Sequence, residues 1–187
     1  MMMPMAEGGR TQGEHDSMRR PLWSMTLLFV LTVALLQWGW SAARGTVIEH
    51  AVIDVATVGV AVSVINTLTP AVRASAAGSR IRARGASINV LNGCEGTEVL
   101  FLFLAALLSY PLSWRTRAAG LLAGAGIIFV ANQVRLVTLF YSFLRNRALF
   151  EALHGLLMPM FLIALSVGLF AGLMHWDTRI RARGRAC

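Results

Sequence analysis

Four long stretches of this chain carry almost no charge, and that limits its fold more than any motif does. Leu22–Trp40 is a run of 19 residues without a charged side chain, and roughly 20 apolar residues are what a helix needs to cross a bilayer. Thr97–Trp114 holds one charge, Glu98, in its first turn. Ala118–Ser142 holds one, Arg135, towards its far end, and Leu153–Trp176 holds none beyond His154 and His175 near its two ends. A chain of 187 residues could make one ordinary soluble domain, but this distribution predicts an all-α fold. The expected architecture is a polytopic transmembrane helical bundle with four strong spans, since backbone polar groups inside lipid must be satisfied within the segment.

Charge supports the same reading. The formal net charge of +8 comes from 17 arginines and no lysine against 9 acidic residues. These arginines bracket the apolar runs, where membrane insertion and lipid headgroups favour them. Lipids are therefore expected partners and nucleic acid is not, because no basic, aromatic-interleaved soluble domain remains. The two cysteines, Cys94 and the terminal Cys187, cannot form a useful staple, so they leave the redox compartment open.

The organisation predicted along the chain is simple. Residues 1–20 are polar and mixed in charge and read as a disordered cytoplasmic tail. Residues 21–176 read as a single integral-membrane domain and 177–187 as a basic cytoplasmic tail. The small residues at 41–43 offer a signal-peptide cleavage site, but the first apolar core is longer than most signal peptides use, which favours an uncleaved anchor. The tract 52–69, rich in β-branched residues and interrupted by Asp54, could span or lie along the interface, and reads rather as a further interfacial or re-entrant helix ending at Pro70. The alternating stretch "SRIRARGASINVLNGC" then predicts a short hairpin turning at Gly85. With the N-terminus inside and 52–69 not crossing, nine arginines fall on the cytoplasmic side. Seven (44, 73, 80, 82, 84, 145 and 147) fall on the other, a weak bias in the expected sense.

Parity of the spans brings three chemically capable side chains to one membrane face. Cys94 precedes the second span, Arg135 lies near the end of the third, and His154 lies at the entrance of the fourth. An arginine within a span costs about 2.5–3.5 kcal/mol even on lenient insertion scales, so a reason for Arg135 is expected. Asn132, three residues earlier, shares its helix face. The positive end of a helix favours a thiolate at Cys94; Glu95 and Glu98 oppose this and Arg135 offsets them. Gly93 and Gly96 leave the backbone around the sulfur open. Together these groups make nucleophilic acyl transfer coherent: thiolate attack, proton transfer by histidine, and stabilisation by arginine of the oxyanion or of a substrate carboxylate. Singly, each has a plain alternative: a packing cysteine, an arginine that snorkels to lipid phosphate, an interfacial histidine. His50, beside Glu49 and four residues before Asp54, reads as an exposed polar face, and His15 and His175 lie elsewhere. No metal-ligand spacing and no phosphate-binding loop occurs, so no cofactor is expected. "GLLAGAG" at 120–126 reads as close helix packing.

These motifs are similar to those of a known family. "NGCEG" at 92–96 leading into a span, "NQVR" at 132–135 late in the next, and His154 at the head of the last resemble the exosortase/archaeosortase family over about 85–176, most like exosortase H. The resemblance implies Cys94 as nucleophile, Arg135 as an essential arginine and His154 as the third member, with Asn92, Gly93, Gly96, Glu98 and Asn132 in support. It also implies a transpeptidase-like processing enzyme of the bacterial inner membrane, with its active face periplasmic. Its clients would be exported proteins whose C-terminal tails carry a short motif, a transmembrane helix and a basic cluster. The motif would begin Ile-Pro-Thr-Leu for exosortase H and be Pro-Glu-Pro for the wider family. The rival reading is a non-enzymatic assembly or transport component that uses Arg135 for packing or lipid binding. A serine protease is disfavoured, because Ser109, Ser142 and Ser166 have no suitable setting.

Overall fold

The computed structural model describes residues 21–84, 86–90 and 95–184. The expectations for the 1–20 tail, Gly85, Asn92, Gly93, Cys94 and Cys187 therefore fall outside the described residues. The chain order is α1 (Leu22–Ala43), α2 (Val47–Leu68), strands β1 (Ser75–Ala77), β2 (Arg80–Ala83) and β3 (Ala86–Asn89), then α3 (Thr97–Ser109), α4 (Trp114–Arg145) and α5 (Arg147–Arg183). The molecule is a helical transmembrane bundle, and four of its helices are long and apolar enough to cross a membrane.

Three of those four, α1, α4 and α5, correspond to expected spans; the fourth is α2. The expected span at Thr97–Trp114 is instead a shorter apolar helix of 13 residues, about 20 Å long. Both of its ends have local causes. Gly96 enters it in the left-handed region at φ +76. At the other end Tyr110 is extended ahead of Pro111, because the proline ring disfavours helical backbone in the residue before it.

Short as it is, α3 lies at the centre of the bundle, with Phe103, Ala105 and Leu107 buried. Trp40 meets Phe101 edge-on, and Phe29 shares an apolar cavity with Phe103 and Ala106, so α1 runs antiparallel to α3. Phe103 faces Gly124 and Leu107 faces Gly120, so α3 runs antiparallel to α4. No residue of α1 is buried, as suits a helix with one side on α3 and the rest open to lipid.

α2 is placed differently. Gln133 Nε2 donates to the Ala56 carbonyl at 3.3 Å, and the Thr69 and Tyr141 hydroxyls pair at 2.8 Å. From Ala56 to Thr69 is about 20 Å of helix, whereas Gln133 to Tyr141 is about 12 Å. α2 thus crosses the C-terminal half of α4 obliquely and in the same sense as α4. It lies over one end of the bundle rather than returning beside α1, and by length and composition it could itself cross a membrane. It begins earlier than expected, at Val47, where the Thr46 side chain accepts from Ile48 N at 3.3 Å, and it stops before Pro70 as expected. Its first half is wound as a π-helix over His50–Gly59.

The predicted hairpin is present and gains a third strand. The order is β1-β2-β3, all antiparallel, with Arg80 opposite Asn89 and Ala83 opposite Ala86. Ile81 and Val90 bury themselves with Ile53, Val58 and Ile65 of α2 and Leu136 and Phe140 of α4. The sheet is therefore a small extension clamped onto the projecting half of α4.

At the other end, helix continues through the boundary expected at 176. Asp177 is buried and accepts from Ser113 N at 3.1 Å, Thr116 Oγ1 at 2.7 Å and Arg181 Nε at 2.6 Å. That network ties the end of α5 to the α3–α4 turn. Ser113 also caps α4 by accepting from Thr116 N.

The glycines of the third apolar run explain how α3, α4 and α5 approach one another. A Cβ on Gly120 would lie 2.7 Å from Leu173 Cδ1, and one on Gly124 would run into the Phe103 ring. Gly124→Ala should therefore destabilise the protein by about 1–3 kcal/mol through overpacking, read as a lower thermal midpoint in detergent. Adding Phe103→Leu should recover part of the loss. An unchanged midpoint in the single variant would contradict this packing.

Candidate active site

Where α3 ends, α4 continues, and its buried face changes from glycine and isoleucine to polar groups. Asn132, Gln133 and Arg135 are 2%, 7% and 4% exposed. Each occupies a helix interior whose flanking positions, Ile128, Leu136 and Leu139, are apolar and buried. Burying polar groups there requires hydrogen-bond partners. Asn132 Nδ2 donates to the Glu95 carbonyl at 3.1 Å. Gln133 Nε2 takes the Ala56 carbonyl, in the π-helical half of α2. One residue of α4 thus holds the segment entering α3, and its neighbour holds α2.

Gly96 makes the first contact possible. It is buried against Asn132, and a Cβ there would lie 2.7 Å from Asn132 Cγ and 2.9 Å from Oδ1. Its positive φ would strain any other residue as well. Glu95, next in sequence after Cys94, is buried. Glu98 lies on the exposed side of the first turn of α3, where the helix dipole favours a carboxylate.

His154 lies on the other wall. Asn146 alone separates α4 from α5, and its side chain caps α5 by accepting from Ala148 N at 2.9 Å and Leu149 N at 3.3 Å. His154 therefore sits about two turns inside α5, not at its first residue, and within the π-helical turn Leu153–Leu157. Its ring stacks on Phe150 with centroids 5.3 Å apart and planes 5° from parallel. The two rings line a cleft of ≈ 200 Å³ with Phe143, Leu136 and Leu139 of α4 and residues of β2 and β3.

A family model described as transmembrane exosortase (Exosortase_EpsH) matches residues 55–172, more than half of the chain. The chain belongs to the transmembrane exosortase family. No curated protein and no solved structure matches it. The exosortase match starts upstream of the 85–176 stretch that carried the resemblance, so it takes in most of α2 and the whole sheet. α1 lies outside it.

Among the expected site residues, Gly96 and Asn132 are in contact, and Arg135 is one turn further along the face that Asn132 occupies. His154 opens onto the cleft lined by Leu136, the residue after Arg135. Glu98 is not brought to the cleft. Cys94, Asn92 and Gly93 lie outside the described residues. His50 is exposed, as expected, and pairs with Asp54 at 2.6 Å in a separate depression beside Glu49. Gln133 and Phe150 were not singled out from the sequence. Gln133 had a signal, being a second uncharged amide inside an apolar run beside Asn132; so had Phe150, four residues before His154 and therefore on its helix face.

The fit of Gly96 to Asn132 can be measured. Gly96→Ala should lower stability by about 1–3 kcal/mol from strain and crowding together. A Gly96→Ala/Asn132→Ala pair should be more stable than the sum of the two single losses predicts, because the second change removes the clash. Strict additivity of thermal midpoints would show that the two residues do not touch.

Proposed function

We propose that this exosortase-family protein is a membrane-embedded cysteine transpeptidase or protease. It cleaves the C-terminal sorting tails of exported proteins near the outer face of the bacterial inner membrane, through an acyl-enzyme on Cys94. The observation that carries the reading is the anchoring of Glu95, the residue after Cys94, to Asn132 on the helix face that buries Arg135.

In this scheme the Cys94 thiolate adds to the scissile carbonyl carbon, and the carbonyl oxygen becomes an oxyanion. Arg135 stabilises that charge, or holds a substrate carboxylate. Collapse of the adduct breaks the C–N bond; protonated His154 gives its proton to the departing amine, leaving a thioester on Cys94. Water or an amine then attacks the thioester, His154 takes up the proton of that nucleophile, and sulfur leaves as thiolate. The substrate is an exported protein with a short recognition motif, a transmembrane helix and a basic cluster, the motif beginning Ile-Pro-Thr-Leu on the likeness to exosortase H and being Pro-Glu-Pro on that to the wider family. A periplasmic site is in keeping with an N-terminus inside, an arrangement that puts nine arginines on the cytoplasmic side against seven on the other, a weak bias in that sense.

The test is co-expression with reporters whose tails carry either the Ile-Pro-Thr-Leu or the Pro-Glu-Pro motif ahead of a transmembrane helix and an arginine cluster. Wild type should shift the mass of one reporter on a gel. Cys94→Ala should abolish the shift, and Arg135→Lys and His154→Ala should each slow it by about 10²-fold or more. Processing that survives Cys94→Ala would reject the thiol mechanism. If no reporter and no exported protein of the host depends on Cys94, the non-enzymatic reading takes its place.

A further inference from the structure

The cleft beside His154 is bounded by the edge of a β-sheet, and the strand at that edge has an unfilled side. In the order β1-β2-β3, β3 is terminal, and among the described residues no strand lies beyond it. Its ladder fixes which backbone groups point outward. Val90 N donates to Ser79 O at 2.8 Å, and Ile88 stands opposite Ile81. Antiparallel pairs alternate between hydrogen-bonded and non-hydrogen-bonded. Ile88 and Val90 therefore bond towards β2, and Ser87 and Asn89 direct their N–H and C=O groups to the open edge.

Two further observations place that edge in the cleft. Ser87 and Asn89 belong to one face of the strand and Ile88 and Val90 to the other, yet all four line the same cleft. A cleft touched by both faces runs along the edge of the strand rather than over a face. The opposite wall is aromatic, formed by Phe143 and Phe150. In sequence, β3 leads directly into Asn92, Gly93 and Cys94.

We propose that the segment of the exported substrate around its cleavage site docks here as an added strand, hydrogen-bonded to the backbone of Ser87 and Asn89. This deepens the function proposed above and rests on it. Strand addition draws affinity from main-chain hydrogen bonds and specificity from alternate side chains. The two faces of β3 define that alternation. Ser87 and Asn89 stand opposite Arg82 and Arg80, both exposed, so one face of an added strand would meet guanidinium groups. The other continues the apolar row of Ile88 and Val90. The occupant is therefore an extended peptide that alternates apolar residues with acidic or polar ones.

Proline at a non-hydrogen-bonded position of an edge strand removes an outward N–H without breaking the ladder. Ser87→Pro deletes the donor and Ser87→Ala keeps it. With a reporter that the wild type processes, Ser87→Pro should be at least ten-fold slower than Ser87→Ala, at an equal thermal midpoint. Equal rates for the two would overturn the proposal. Should Ser87→Pro fold poorly, disulfide trapping decides. Ser87→Cys in a Cys94→Ala/Cys187→Ala background is oxidised with reporters that carry single cysteines along the tail. A strand docked in one register predicts a cross-link from Ser87→Cys to one tail position and from Asn89→Cys to the position two residues away, a two-residue period. Cross-links without that period, or at His154→Cys but not Ser87→Cys, would overturn strand addition and leave the processing reading standing. No cross-link at either position, together with no Cys94-dependent processing, would reject both.

Discussion

The architecture follows from a mismatch in helix length. α3 has 13 residues and its antiparallel partner α4 has 32, so the two cannot cover each other. Their packing runs from Leu107 against Gly120 to Gly96 against Asn132. Beyond Asn132, about 20 Å of α4 projects past the start of its neighbour. That uncovered length needs other partners, and α2 and the three-stranded sheet supply them through Leu136 and Phe140. The polar residues of α4 begin where the short helix stops. Asn132, Gln133 and Arg135 are therefore placed at the rim of the apolar bundle, where a neighbouring backbone is within reach.

The same mismatch explains why an arginine is tolerated there. At the middle of a span Arg135 would carry the full insertion penalty. At the rim it is covered by protein instead of lipid, and the cost falls as the side chain is surrounded by polar groups. Asn132, one turn earlier on the same helix face, is itself committed to a carbonyl on another segment. Two π-helical turns, His50–Gly59 and Leu153–Leu157, flank the same region. Such turns bulge the helix and redirect the side chains they carry, and they are frequent at functional sites.

Much of this was legible in the sequence because lipid imposes simple rules. Runs with at most one charge located α1, α4 and α5, and the glycines at 120 and 124 announced close packing. The pairing of Gly96 with Asn132 was half visible, as two residues selected separately. The misreading of Thr97–Trp114 has a plain cause. Apolar composition continues through Tyr110 and Leu112, so hydropathy alone does not register the stop imposed by Pro111 and the left-handed Gly96. The oblique course of α2 was hidden for another reason. A 22-residue apolar helix at an interface and one across a membrane share a composition, and only the contacts of Ala56 and Thr69 reveal its course along α4. Phe150 against His154 is an i, i+4 pair on α5; it was hidden only because the helix starts at Arg147, ahead of the apolar run that begins at Leu153.

A site at this rim faces two solvents, and that shapes what a substrate must look like. The bundle below offers only apolar helix surface, such as the exposed Leu27, Leu31 and Leu35 of α1; the sheet above offers backbone polar groups and arginines. A substrate that is helical in the membrane has its backbone satisfied internally until it reaches the surface. Just outside, it becomes an extended chain whose amide groups need partners. Under the proposed strand addition, the outer edge of β3, unpaired among the described residues, would supply them where the helix ends. On this argument the recognised feature is the junction itself, the change from membrane helix to extended chain. Under the proposed function the motif would then fix the register of the scissile bond relative to Cys94, while the transmembrane helix would fix its depth.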